Sequence, residues 1–218
     1  MSPDPRADAL RRSPAAHHIR ATRLIAVLRR IEPQTRLLDL VRDLAADGVR
    51  TFEITFDGPT AAADLGAVRA LLDSGAGPAR SIVGAGTIRS LDALRAAHAA
   101  GAAFAVAPGL DRDIVATAVA LDLVFVPGAY TPTEVETAWR TGATFVKLFP
   151  ASSLGPGHVR ELRGPFPEIE TIATGGIDAT DARAFLDAGC VAVGVGGALV
   201  RAAASERRAI VAAVGGAP

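Results

Sequence analysis

Residues 131–150, TPTEVETAWRTGATFVKLFP, hold one complete helix followed by one complete strand. Thr131 before Pro132, with Glu134 and Glu136 in the first turn, is a helix start: a hydroxyl to cap a free backbone N–H, a residue with preset φ, and acids at the positive end of the helix dipole. The periodic segment 132–141 stops on Gly142, which enters the left-handed region without a Cβ clash. Shortly after comes Phe145-Val146-Lys147-Leu148-Phe149, a β-type apolar run with a cation at its centre.

The same unit recurs along the chain. Apolar β-type runs lie at 24–28, 51–56, 81–85, 104–107, 123–126, 145–149, 169–173 and 191–195. Helical periodicity fills 35–47, 60–72, 90–100, 132–141 and 178–188, and Gly48, Gly101, Gly142 and Gly189 follow helical segments. Strand–helix alternation with short connections argues a parallel sheet, and eight units in a chain of 218 residues predict an α/β fold, a (β/α)8 TIM barrel with an extra N-terminal helix. The expected layout is a tail and helix over 1–23, the barrel over 24–203, and a C-terminal helix and tail over 204–218, in one domain overall. An open doubly wound sheet would be favoured by a Gly-x-Gly-x-x-Gly turn after the first strand, and that turn is absent.

Of the 23 basic residues only Lys147 is lysine. Arginine keeps its charge in essentially any setting, whereas a buried lysine loses its proton and becomes a nucleophile toward carbonyls. The formal net charge is zero, so no global field favours nucleic acid or a membrane surface, and small molecules are the expected partners. The single cysteine, Cys190, reads as a buried structural thiol in a reducing cytoplasm, and no run is long enough to span a bilayer. His17, His18, His98 and His158 show no metal-ligand spacing, so no metal is expected.

Alternation places Lys147 on one face with Phe145 and Phe149. Phe52, Ile54 and Phe56 form the apolar face of the second strand, which leaves Glu53 pointing inward. Barrel sites form at the C-terminal strand ends, where Arg29, Glu53, Thr87 and Lys147 could converge. Glu53 reads equally well as a structural carboxylate paired with Arg29 or Arg50. Asp57, Tyr130, Ser152 and Ser153 also fall at strand ends. Thr174-Gly175-Gly176 and Gly194-Val195-Gly196-Gly197 follow the last two strands, where glycines let backbone N–H groups and a following helix N-terminus approach phosphate oxygens.

These residues resemble the class I 2-keto-3-deoxy-6-phosphogluconate (KDPG) aldolases and their 6-phosphogalactonate and 4-hydroxy-2-oxoglutarate relatives. The segments that carry the resemblance include Ile25-Ala26-Val27-Leu28-Arg29, Phe52-Glu53-Ile54-Thr55-Phe56, Val83-Gly84-Ala85-Gly86-Thr87, Lys147-Leu148-Phe149-Pro150 and the two glycine loops. The resemblance implies a homotrimeric barrel that acts without cofactor or metal on a phosphorylated 2-keto acid, releasing pyruvate. It also implies Lys147 as the Schiff-base lysine and Glu53 as the general acid/base. Arg29 and Thr87 would hold the pyruvyl carboxylate, and Phe149 would pack beside the imine. Gly175, Gly176, Gly196 and Gly197 would bind the phosphate, and Thr174 would also contact the substrate. Two departures stand out: Gly197 replaces the serine of many relatives, and Asp57 stands where some carry arginine, so that an acid would face an anionic group. A phosphate-binding barrel isomerase or synthase, and a non-catalytic ligand-binding barrel, are the rival readings.

Overall fold

The computed structural model describes residues 4–74 and 80–215. Two helices lead the chain, α1 (Pro5–Arg11) and α2 (Pro14–Thr22), each opened by a side-chain cap, from Asp4 and Ser13 respectively. The expected N-terminal helix is thus divided into two, because Ser13-Pro14 starts a second helix with a hydroxyl cap and a ring that has no N–H to lose. Then follow β1 (Leu24–Leu28), α3 (Gln34–Ala46), β2 (Thr51–Thr55), α4 (Ala61–Asp73), β3 (Ile82–Gly86), α5 (Leu91–Ala99), β4 (Phe104–Val106), α6 (Arg112–Ala120), β5 (Val124–Val126) and β6 (Gly128–Ala129). The remainder is α7 (Pro132–Thr141), β7 (Val146–Leu148), α8 (Ala151–Arg163), β8 (Thr171–Thr174), α9 (Ala179–Ala188), β9 (Ala192–Val195), α10 (Gly197–Arg201) and α11 (Ala204–Val214).

All strand pairs are parallel, in the order β5-β4-β3-β2-β1-β9-β8-β7-β6. β5 and β6 are the halves of one extended segment on either side of Pro127. On one side Ala107 N–H donates to Val126 O; on the other, Thr144, Lys147 and Phe149 donate to Phe125 O, Pro127 O and Ala129 O. The ring therefore closes through the fifth apolar run, which reaches three residues further than its apolar pattern suggests. Pro127 has no N–H for the ladder, which interrupts the strand between β5 and β6.

The capping chemistry of residues 131–142 is realised in α7. Thr131 Oγ1 accepts from Glu134 N–H at 3.3 Å, and Glu134 Oε2 accepts from Thr131 N–H at 2.8 Å. Those backbone donors hold the Glu134 carboxyl below its ordinary range. Gly142 closes the helix at φ 113.

Strand alternation divides the apolar residues into two layers. Phe52, Ile54, Leu148 and Val193 face the helices. Ile25, Phe104, Val124, Phe145, Ile172 and Ala192 fill the barrel interior, together with Leu10 of α1 and Ala16 and Ile19 of α2. The leading helices thus plug the N-terminal mouth and exclude water from below. At the other flank α11 packs on α9, and its Arg208 reaches Asp47 at 2.8 Å. No helix is long and apolar enough to cross a membrane among the described residues.

Candidate active site

Above the apolar plug the inward positions become ionisable or small. Lys147 on β7 lies beside Gly128 of β6 and Ile172 of β8, and Glu53 on β2 lies beside Val27 of β1 and Gly84 of β3. Both open into one cavity of about 410 Å³ at the C-terminal strand ends. Arg29, Phe149, Thr174, Gly175, Gly176, Gly196 and Gly197 line the same cavity.

Lys147 is 6% exposed and Glu53 3%. Burial pushes the Lys147 ammonium down from its usual range, because the charged form loses its hydration; Glu53 opposes that shift, and the Arg29 charge adds to it. Burial likewise pushes the Glu53 carboxyl up, against the pull of Lys147 and Arg29. The contest between desolvation and Arg29 at Glu53 goes to desolvation, since Arg29 is exposed while Glu53 is enclosed. Both groups are driven toward their neutral forms. Lys147 Nζ also lies 4.7 Å from the ring centroid of Phe149.

Inward space on β3 is left by glycines. A Cβ on Gly84 would fall 2.6 Å from the Phe104 ring, and one on Gly86 would fall within 2.5 Å of Glu53 Cδ and against its Oε1. Gly86 therefore gives the Glu53 carboxylate the room to lean toward the strand ends. Thr174 occupies the corresponding gap over Gly194, where a Cβ would lie 2.6 Å from its Oγ1.

Two residues sit differently from expectation. Thr87 does not line the cavity; held at φ 59, it accepts a 3.3 Å hydrogen bond from Arg29 Nη2 and so supports the arginine. Asp57 does not face the cavity as an unpaired acid. Its carboxylate binds Arg29 Nη1 at 2.6 Å and Arg30 Nε at 3.4 Å. Burial works against its charge, but the Thr55 hydroxyl and Arg29 outweigh it and hold the carboxyl below its ordinary range. Tyr130, Ser152 and Ser153 lie outside the lining, although Ser152 stands against Gly176. The N-terminus of α9 is occupied by its own cap, because Asp178 Oδ1 accepts from the N–H groups of Thr180 and Asp181. That end of the helix has no free amides at those positions for an incoming anion.

Arg201, Asp178, Val27 and Ile177 also line the cavity and were not singled out from sequence. The signal for Arg201 was available: it lies four residues after Gly197, one helical turn along the same face. No cluster of three or more His, Cys, Asp or Glu side chains suited to a metal occurs among the described residues.

Comparison with known proteins gives a consistent picture. The family described as KDPG and KHG aldolase matches residues 16–214. The 2-dehydro-3-deoxy-6-phosphogalactonate aldolase of Escherichia coli strain K12 is 33% identical over 188 residues, covering 85% of this chain and 88% of that protein. The 2-dehydro-3-deoxy-phosphogluconate aldolase of Treponema pallidum is 33% identical over 154 residues, covering 70% and 69% respectively. The solved 2-keto-3-deoxy-6-phosphogluconate aldolase of Zymomonas mobilis ZM4 with 3-phosphoglycerate superposes with a TM-score of 0.78 at 25% identity, over 92% of this chain and 94% of that one.

Proposed function

This chain belongs to the KDPG and KHG aldolase family and is a carbon–carbon lyase; from that premise we propose that it cleaves 2-keto-3-deoxy-6-phosphogluconate to pyruvate and glyceraldehyde 3-phosphate through an imine on Lys147. The carrying observation is a buried amine driven toward neutrality, in one cavity with a buried carboxyl.

The neutral Lys147 amine adds to the C2 carbonyl of the substrate, and loss of water from the carbinolamine leaves an iminium. Glu53, directly or through one water, takes the proton of the C4 hydroxyl. The C3–C4 bond breaks, its electron pair moves into the iminium to give an enamine, and the aldehyde departs. Protonation at C3 and hydrolysis then free pyruvate and the amine. Arg29, held by Asp57 and Thr87, faces the carboxylate of the substrate. Gly175, Gly176, Gly196 and Gly197 let backbone N–H groups approach the phosphate, and Thr174 stands at the edge of that subsite.

The direct test is reduction of the protein with borohydride in the presence of pyruvate. An irreversible mass gain on Lys147 is expected, and no gain would overturn the imine route. A second reading, the 6-phosphogalactonate epimer as substrate, is favoured by the fuller coverage of the E. coli relative. Release of pyruvate from each epimer, read through lactate dehydrogenase, separates the two. A soluble cytoplasmic homotrimer that needs neither cofactor nor metal completes the proposal, and light scattering should return three times the 22.3 kDa chain mass.

Gly86 supplies a test of positioning. A Cβ there meets the flexible end of Glu53, so Gly86→Ala is expected to fold and to lower kcat/KM by roughly 10- to 100-fold, the scale of a 1 Å misplacement. Unchanged kcat/KM would show that Glu53 is free to act from another position.

A further inference from the structure

We infer that Arg201 is the specificity-determining cation for the distal phosphate of the substrate, and that Gly197 admits it by having no side chain. The inference rests on the aldolase reading above and assigns a residue that reading does not use.

Helical side chains lean back toward the N-terminus of their helix, so a residue at position i+4 covers the residue one turn earlier. In α10 this brings the guanidinium of Arg201 over Gly197: a Cβ at 197 would fall 2.6 Å from Nη1, 2.9 Å from Nη2 and 3.0 Å from Cζ. The space that a serine would fill thus holds a cation instead.

The charges around the cavity explain why a cation is wanted. Arg29 is offset by its ion pair with Asp57. Lys147 and Glu53 are both driven toward neutrality by burial. Asp178 contributes a negative charge that is partly engaged at the start of α9. Arg201 lines the cavity and has no hydrogen-bond or ion-pair partner among the described residues. A substrate bearing a carboxylate at one end and a phosphate at the other needs a cation at each, and Arg201 stands at the glycine-loop end. Its planar guanidinium matches two phosphate oxygens at once.

The measurement is kcat/KM for the phosphorylated 2-keto-3-deoxy sugar acid divided by that for its unphosphorylated counterpart. Arg201→Gln should lower this ratio by roughly 10- to 100-fold, chiefly through KM for the phosphorylated compound. Arg201→Lys should recover part of it, since the charge remains and the two-pronged geometry does not. Gly197→Ala, which adds only the Cβ, should displace the guanidinium and lower the ratio as well. The double variant should then fall no further than Arg201→Gln alone, as expected for residues acting on one interaction. A ratio within about twofold of wild type in both single variants, with wild-type protein still trapping pyruvate on Lys147, would overturn the assignment and leave the aldolase reading standing. Failure of wild-type trapping would instead overturn that reading and the assignment with it.

Discussion

Replacing Lys147 with arginine is expected to leave a folded barrel that no longer releases pyruvate, with kcat lower by roughly four to six orders of magnitude, the scale seen when a covalent nucleophile is removed. Arginine stays charged where burial drives the Lys147 amine toward neutrality, so it offers no lone pair to the C2 carbonyl. Borohydride with pyruvate should add no mass to this variant, whereas wild type should gain it at residue 147. The control is Lys147→Met, an apolar side chain of similar length. It removes an amine whose burial disfavours its charged form, so thermal denaturation should show equal or greater stability alongside lost activity. Retained pyruvate release in Lys147→Arg would sink the imine mechanism.

Glu53→Gln is expected to reduce kcat by about 10²- to 10⁴-fold, the usual contribution of general acid–base catalysis. The substitution keeps shape and burial but cannot accept the proton of the C4 hydroxyl. Pyruvate has no C4 hydroxyl, so the trapped adduct on Lys147 should still form in this variant, which separates loss of proton transfer from collapse of the site. The pH profile adds a second readout. Burial raises the Glu53 carboxyl above its ordinary range, and proton abstraction needs the ionised form. Wild-type activity should therefore fall as the pH drops through that raised value, and Glu53→Gln should lose this acidic limb. A variant that keeps both the rate and the limb would show that Glu53 is structural.

The site illustrates how far local signals reach. Lys147 is legible because a charged residue in an apolar strand is anomalous by itself, and Glu53 because alternation separates it from Phe52 and Ile54. The glycine loops are legible by their place after the last two strands. The role of Asp57 is not, since its ion pair joins it to Arg29 across 28 positions of sequence. Its carboxylate reads as a repulsive acid in the chain and is a support for Arg29 in the fold. Thr87 follows the same logic, with its hydroxyl spent on that arginine.

The caps at Ser90 and Thr131, the alternation of strands and helices, and the one lysine set in an apolar strand are legible in the sequence alone, because hydroxyl caps, terminal glycines and hydrophobic period act over a few residues. Tertiary structure alone decides that the fifth strand closes the ring across Pro127, that Gly86 makes room for Glu53, and that burial prevails over Arg29 in setting the proton affinity of Glu53. Each of these depends on the distance between groups on different strands and on the water excluded between them. A linear chain carries neither quantity until it is folded.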